Sequence, residues 1–153
     1  MTLSAAVIIL AADERVQQAI LHIFEEMEMI STPTIGLDFE KAKQVQKSNQ
    51  TYLCLAEMRL LPPPAQVALW LSSYPQIKLL VLHPRLAEDE VLAYLQAGAM
   101  GHLAVEELDS NQVKLAIRAL LNGEAFLSPS TAGKILDTLA KRHLKENKKE
   151  VQE

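Results

Sequence analysis

Three polar side chains stand close behind apolar runs, where the strands of an open α/β sheet would end and where such sheets bind ligands. They are Asp13 behind Ala5 to Ala11, Glu57 behind Tyr52 to Ala56, and His83 behind Ile77 to Leu82. Asp13 and Glu57 could clamp a divalent cation together with the main-chain carbonyl of Arg59, since carboxylate and carbonyl oxygens suit a hard ion. With His83 as general base the same pair would line a hydrolase cleft. No serine or cysteine nucleophile accompanies it, however, and Cys54 lies inside an apolar run. His83 and His102 could instead form a pH-sensitive pair of imidazoles. Each residue also has a plainer reading, which the sequence favours: Asp13 as a helix N-cap, Glu57 as a solvated rim residue, His83 as a loop residue, and the two histidines as unrelated, partly buried rings.

The elements that would position these groups alternate along the chain. Ala5-Ala6-Val7-Ile8-Ile9-Leu10-Ala11 reads as a strand buried on both faces. Behind Asp13, the residues Val16, Ala19, Ile20, Ile23, Phe24 and Met27 recur at helical spacing. A second, weaker unit spans a short strand from Ile30 to Ile35 and a polar helix from Phe39 to Lys47. Tyr52 to Ala56 is the third strand; Pro62-Pro63-Pro64 then breaks the chain before a helix carrying Val67, Leu69, Trp70 and Leu71. Ile77 to Leu82 is the fourth strand, followed by a helix from Glu88 to Ala97 that stops at Gly98. His102 to Val105 is the fifth strand. Asp109-Ser110 caps the next helix, whose apolar stripe is Val113, Ala116, Ile117, Leu120 and Leu121. Alternating βα units with loops this short require parallel strands and right-handed crossovers, hence a three-layer α/β sandwich. Past Ser128-Pro129 a last helix carries Ala132, Ile135, Leu136 and Leu139, then passes into a lysine-heavy end from Lys141 that reads as a solvated or frayed helix. Trp70 and Tyr74 read as core and edge packing rather than a ligand platform.

Composition narrows the function classes. The chain has 153 residues, 49% of them hydrophobic, which suits one domain with a sizeable core. A formal net charge of −4 argues against a nucleic-acid-binding surface. One cysteine rules out an internal disulfide or a multi-thiolate metal site. No apolar stretch reaches the length of a membrane span, and the start lacks the basic flank of a signal peptide, so the expected location is the cytoplasm.

Three segments carry a family resemblance: Tyr74-Pro75-Gln76-Ile77-Lys78-Leu79-Leu80-Val81-Leu82, Gln96-Ala97-Gly98-Ala99-Met100-Gly101, and Asn122-Gly123-Glu124-Ala125-Phe126-Leu127-Ser128-Pro129. Over residues 5 to 136 the chain resembles the receiver domain of two-component response regulators, in particular the NarL/FixJ group. That resemblance implies a doubly wound, flavodoxin-like (CheY-like) sheet of five parallel strands in the order 2-1-3-4-5. It further implies a receiver-like unit over residues 1–128 and a linker helix with a charged tail over residues 129–153.

The resemblance also says what each site position would do. In a receiver, two acids after the first strand hold Mg²⁺ with a phosphoacceptor Asp at the end of the third strand. A Thr or Ser after the fourth strand and a Lys after the fifth bind the acyl phosphate, and an aromatic on the fifth strand moves with them. At the matching positions this chain has Ala12 and Asp13, Glu57, His83, Val105 and His102, and the Glu57-to-Pro62 spacing is one residue longer than in the family. The implied site is degenerate, since no fixed cation at 105 answers a phosphoryl group and an Mg²⁺ ligand is missing. The expectation is a pseudo-receiver, not an enzyme, that regulates transcription without phosphorylation through a homodimer or a protein partner. Its interface would include Tyr94, Val113 and Arg118. DNA would be reached only through a C-terminal effector domain outside this chain, and no cofactor is expected unless Asp13 and Glu57 hold Mg²⁺. The alternatives are a working phosphorelay receiver using Glu57 or another acid, Glu57 as a built-in mimic of the phosphorylated state, and, remotely, a small hydrolase using the His83 cleft.

Overall fold

The computed structural model describes residues 5–27, 34–36, 39–40 and 50–151, with side chains to residue 146. The strands are β1 (Ala6–Leu10), β2 (Thr34–Gly36), β3 (Tyr52–Glu57), β4 (Ile77–His83) and β5 (Gly101–Ala104). The helices are α1 (Glu14–Glu26), α2 (Pro64–Ser73), α3 (Glu88–Gln96), α4 (Ser110–Leu121) and α5 (Pro129–Val151). Single 3₁₀ turns follow three strands, at Met58–Leu60, Arg85–Ala87 and Val105–Glu107. The sheet order is β2-β1-β3-β4-β5 with every pairing parallel, as the sequence leads one to expect.

Successive strand residues face opposite sides, so one sheet feeds two cores. Val7, Ile9, Leu53, Leu55, Leu80, Leu82 and Leu103 pack with Val16, Ile20, Ile23 and Phe24 of α1 and with Val113, Ala116, Ile117 and Leu120 of α4. Ile8, Leu10, Tyr52, Cys54, Ala56, Leu79 and Val81 pack with Val67, Trp70 and Leu71 of α2 and Val91 of α3. Each fully buried Leu or Ile contributes about 1.5–3 kcal/mol by leaving water. The helices start where the sequence supplies acceptors: Asp13 accepts from the Arg15 N–H at 2.8 Å, and Asp109 accepts from the Gln112 N–H at 2.9 Å. α3 stops at Gly98, whose φ of 120° a side chain would strain.

Four expectations need adjustment. Thr34–Gly36 is the described part of β2, and most of the segment expected as strand and helix falls at 28–33 and 41–49, outside the described residues. β5 ends at Ala104, so Val105 opens the following turn instead of closing the strand. Leu69, grouped in sequence with the apolar face of its helix, points outward and is 70% exposed. Of the two readings of the lysine-heavy end, the frayed one does not hold and the solvated one does: α5 continues as helix to Val151, with residues 141–146 exposed, because no Gly or Pro interrupts it beyond Gly133.

The outer edge of β5 is covered by the segment after α4. The His102 N–H donates to the Phe126 carbonyl at 3.1 Å, and the Phe126 N–H donates to the Met100 carbonyl at 3.0 Å. This close approach needs a glycine, since a Cβ at Gly101 would lie 2.8 Å from the Phe126 oxygen and 3.0 Å from Leu80 Cδ1. The backbone oxygen cannot swing aside as a side-chain tip would. Gly101→Ala is therefore expected to lower unfolding stability by about 1–3 kcal/mol through forced backbone movement, measured by urea denaturation against the parent chain.

Candidate functional site

The carboxyl ends of β1, β3 and β4 open onto a cavity of about 620 Å³. Its walls are largely apolar, with Val16, Leu61, Leu82, Pro84 and Val105 among them, and Asp13, Glu57, Glu90 and Arg59 supply the charge. Glu57 ends β3 and is 5% exposed, so it is not the solvated rim residue its sequence position suggests. Burying a carboxylate requires partners, and they come from the loop after β1 and from the turn that follows Glu57 itself. The Asp13 N–H donates to Glu57 Oε1 at 3.3 Å, and Arg59 Nε donates to Oε2 at 2.9 Å. The 3₁₀ turn at Met58–Leu60 folds Arg59 back over the acid that precedes it. Sequence reasoning used Arg59 only for its carbonyl; a basic residue two positions after a strand-end acid was the signal available.

These partners decide the metal question. Ala12 offers no side-chain oxygen, the Asp13 carboxylate caps α1, and both Glu57 oxygens are engaged. The donor set does not fit Mg²⁺, which needs several free oxygens in near-octahedral array. Among the described residues no group of three His, Cys, Asp or Glu side chains is arranged to hold a metal ion. Val105, half-buried against the α1–α4 core, presents a hydrocarbon to the cavity from the turn after β5. The cation that meets Glu57 thus comes from the turn after β3 rather than from β5.

A second cluster lies at the ends of β4 and β5. Val81 and His102 are register partners, and His83 lies two residues beyond Val81, so both imidazoles project from the α2–α3 face. They are not unrelated rings, and His83 is not a loop residue: it closes β4 at 1% exposure, with His102 at 4%. His83 Nε2 and His102 Nδ1 are 2.9 Å apart, and His83 Nδ1 lies 2.8 Å from the Pro84 carbonyl. The Ser128 N–H donates to His102 Nε2 at 3.1 Å. Burial, with the neighbouring His83, holds His102 below its ordinary value of 6.5, against the smaller opposing pull of Glu88 and Glu107.

Ser128 carries the cluster onward to α5. Its hydroxyl donates to Glu88 at the start of α3 and accepts from the Thr131 N–H at 3.2 Å. Thr131, 2% exposed, donates its own hydroxyl to Glu88 at 3.0 Å. The Ser128 hydroxyl, aided by that of Thr131, holds the Glu88 carboxyl below its usual range in spite of burial. One turn on, Lys134 pairs with Asp89.

The expected interface residues separate. Val113 is completely buried among the residues between α1, α4 and the sheet, so it cannot meet a partner: it lies on the stripe of α4 that faces the core. Tyr94 is half-buried and its hydroxyl donates to the Pro62 carbonyl at 3.1 Å, joining α3 to the proline turn. Arg118 is exposed. Trp70 is core, edge-on to Phe39 with ring centroids 4.8 Å apart, and Tyr74 sits at the surface. Cys54 is fully buried mid-strand, and desolvation pushes its thiol up to about 12.

No protein-family model and no curated protein matches this sequence. Solved structures do. The chain is similar to the isolated REC domain of RcsB from Salmonella enterica serovar Typhimurium, in the presence of phosphomimetic BeF3-, at 15% identity and a TM-score of 0.67, covering 84% of this chain and 96% of that one. It is also similar to a LuxR family DNA-binding response regulator from Silicibacter pomeroyi, at 17% identity and a TM-score of 0.64, over 84% and 99% of the two chains. A two-component response regulator of the LuxR family from Aurantimonas sp. gives 16% identity and a TM-score of 0.65, over 90% and 99%. At these identities the likeness establishes a shared fold.

The Glu57 geometry can be checked by a mutant cycle. Arg59→Ala leaves a buried carboxylate short of a partner and is expected to cost about 1–2 kcal/mol in urea unfolding at neutral pH. In the Glu57→Gln background the same change should cost far less, because no charge is left to satisfy.

Proposed function

We propose that this chain is a cytoplasmic regulatory domain of the response-regulator receiver type that works without accepting a phosphoryl group. Residues 1–128 would form the receiver-like unit, and residues 129–153 the helix and tail that carry its output. The observation behind this reading is the state of Glu57. Its carboxylate is occupied by Arg59 and the Asp13 N–H, with Ala12 and Val105 at the positions where a receiver keeps an acid and a lysine. Among the described residues that line the cavity, none on its β5 side carries a fixed positive charge that would receive a phosphoryl group.

Output would pass through contact with a second copy of the chain. Leu136, Leu139 and Leu144 of α5 are 66%, 54% and 60% exposed, and Leu115 of α4 is 51% exposed. Such leucines favour association between surfaces. RcsB, which shares this fold, has been solved as two dimers bound to two parallel DNAs. His83 is not free to serve as the base of a hydrolase cleft, because both of its ring nitrogens are hydrogen-bonded within the protein.

Incubation with acetyl phosphate and Mg²⁺, followed by intact-mass measurement, should leave the mass unchanged. A phosphoryl increment that disappears in Glu57→Gln would overturn this reading. Sedimentation over a concentration series should show a reversible dimer that Leu136→Glu with Leu139→Glu weakens at least about a hundredfold, the scale of losing two buried leucines. A parent chain that stays monomeric at tens of micromolar would remove the self-association.

A further inference from the structure

The contacts of the histidine pair fix the place of every imidazole proton. A backbone N–H can only donate, so Ser128 makes His102 Nε2 an acceptor. A neutral His102 then carries its hydrogen on Nδ1 and donates it to His83 Nε2. His83 in turn carries its hydrogen on Nδ1 and donates to the Pro84 carbonyl, which can only accept. One directed chain runs Ser128 to His102 to His83 to Pro84, with both rings neutral.

An added proton has no place in that chain. On His102 Nε2 it would point at the Ser128 N–H. On His83 Nε2 it would meet the His102 Nδ1–H, and moving that hydrogen to Nε2 brings it again onto Ser128. A cationic pair that keeps its ring-to-ring hydrogen bond therefore excludes the Ser128 contact, whichever ring holds the charge. The surrounding charges are Arg85, Glu88, Glu107 and Asp109. Arg85 is already paired with Glu107 at 2.7 Å and bonded through its N–H to Glu106; Asp109 caps α4; Glu88 takes the Ser128 and Thr131 hydroxyls. The acid whose charge acts on both imidazoles, Glu88, is thus the same one that holds the root of α5.

The rest of α5 adds little grip. Ala132 and Ile135 are half-buried, whereas Leu136, Leu139 and Leu144 face solvent. Seating of the helix depends on Ser128, Thr131 and Lys134 at its first turns.

We propose that His83 and His102 form a proton-operated latch: as a neutral pair they seat Ser128 and the root of α5, and as a cation they release it. This goes beyond the function argued above and stands whether or not the domain accepts phosphate. The sign follows from linkage. Burial, with the neighbouring His83, holds His102 below 6.5 in the docked state; release would expose the ring and relieve that burial, so below 6.5 the released state would bind more protons. Docking is complete above that pH and weakens as pH falls, by up to about tenfold per unit for one proton.

The full chain tests this in two ways. Long-range ¹H–¹⁵N spectra of the imidazoles at about pH 7.5 should show both rings neutral with hydrogen on Nδ1. A His102 Nε2–H form, or a charged ring, at that pH overturns the proposal. Amide exchange at Thr131 and Ala132, corrected for intrinsic rates, should lose up to about fivefold protection between about pH 6.5 and 5.5. His102→Gln, whose side-chain oxygen can still accept from Ser128 without titrating, should flatten that profile. Protection that is flat in the parent, or that falls identically in His102→Gln, sinks the latch. Where His102→Gln fails to fold, the parent's tautomers and exchange profile alone decide.

Discussion

A parallel sheet buried on both faces has to send every connection across the sheet, and this constraint places everything else in the molecule. Each strand must end at the same edge, and each helix must start from there. The carboxyl ends of β1, β3, β4 and β5 are thus brought together with the first turns of α1 and α3. Backbone groups at those ends have left the ladder, so polar side chains gather there with no cost to the two cores. Glu57, His83 and His102 are buried because they belong to strands, and Glu57 and His83 are the residues on which β3 and β4 stop.

What became of that edge in this chain is a division into two closed clusters. Around Glu57, charge is neutralised locally by the very next turn. Around His83 and His102, two rings satisfy one another and hand their remaining valences to Pro84 and Ser128.

The sequence carried the sandwich well because its signals are local and repeated: apolar runs of strand length, Asp13 and Asp109 as caps, Gly98 as a stop. The family resemblance in its three segments supplied the strand order. It carried the clusters poorly, for reasons of register and length. That His83 and His102 meet depends on Val81 pairing with His102, a nonlocal fact that no periodicity reveals. Ser128 reaches His102 only because Gly101 lets Phe126 lie against β5. Val113 was assigned to a surface because the helix carrying it has one, although the same apolar stripe that defined the helix had already placed that residue inside. Arg59 went unread as a side chain because a 3₁₀ turn, unlike a helix, has no repeating pattern to show which way a residue turns.

The way α5 is attached has a mechanical side. Its 23 residues make a rod of roughly 34 Å at 1.5 Å per residue. The rod is pinned near one end, at Ser128 and Thr131, while its exposed leucines lie further along. A tilt of about ten degrees at the pinned end carries the far end through roughly 6 Å, more than a full turn's rise. Sub-ångström adjustments among hydrogen bonds at the sheet edge are in this way multiplied by geometry alone into displacements that another macromolecule can sense.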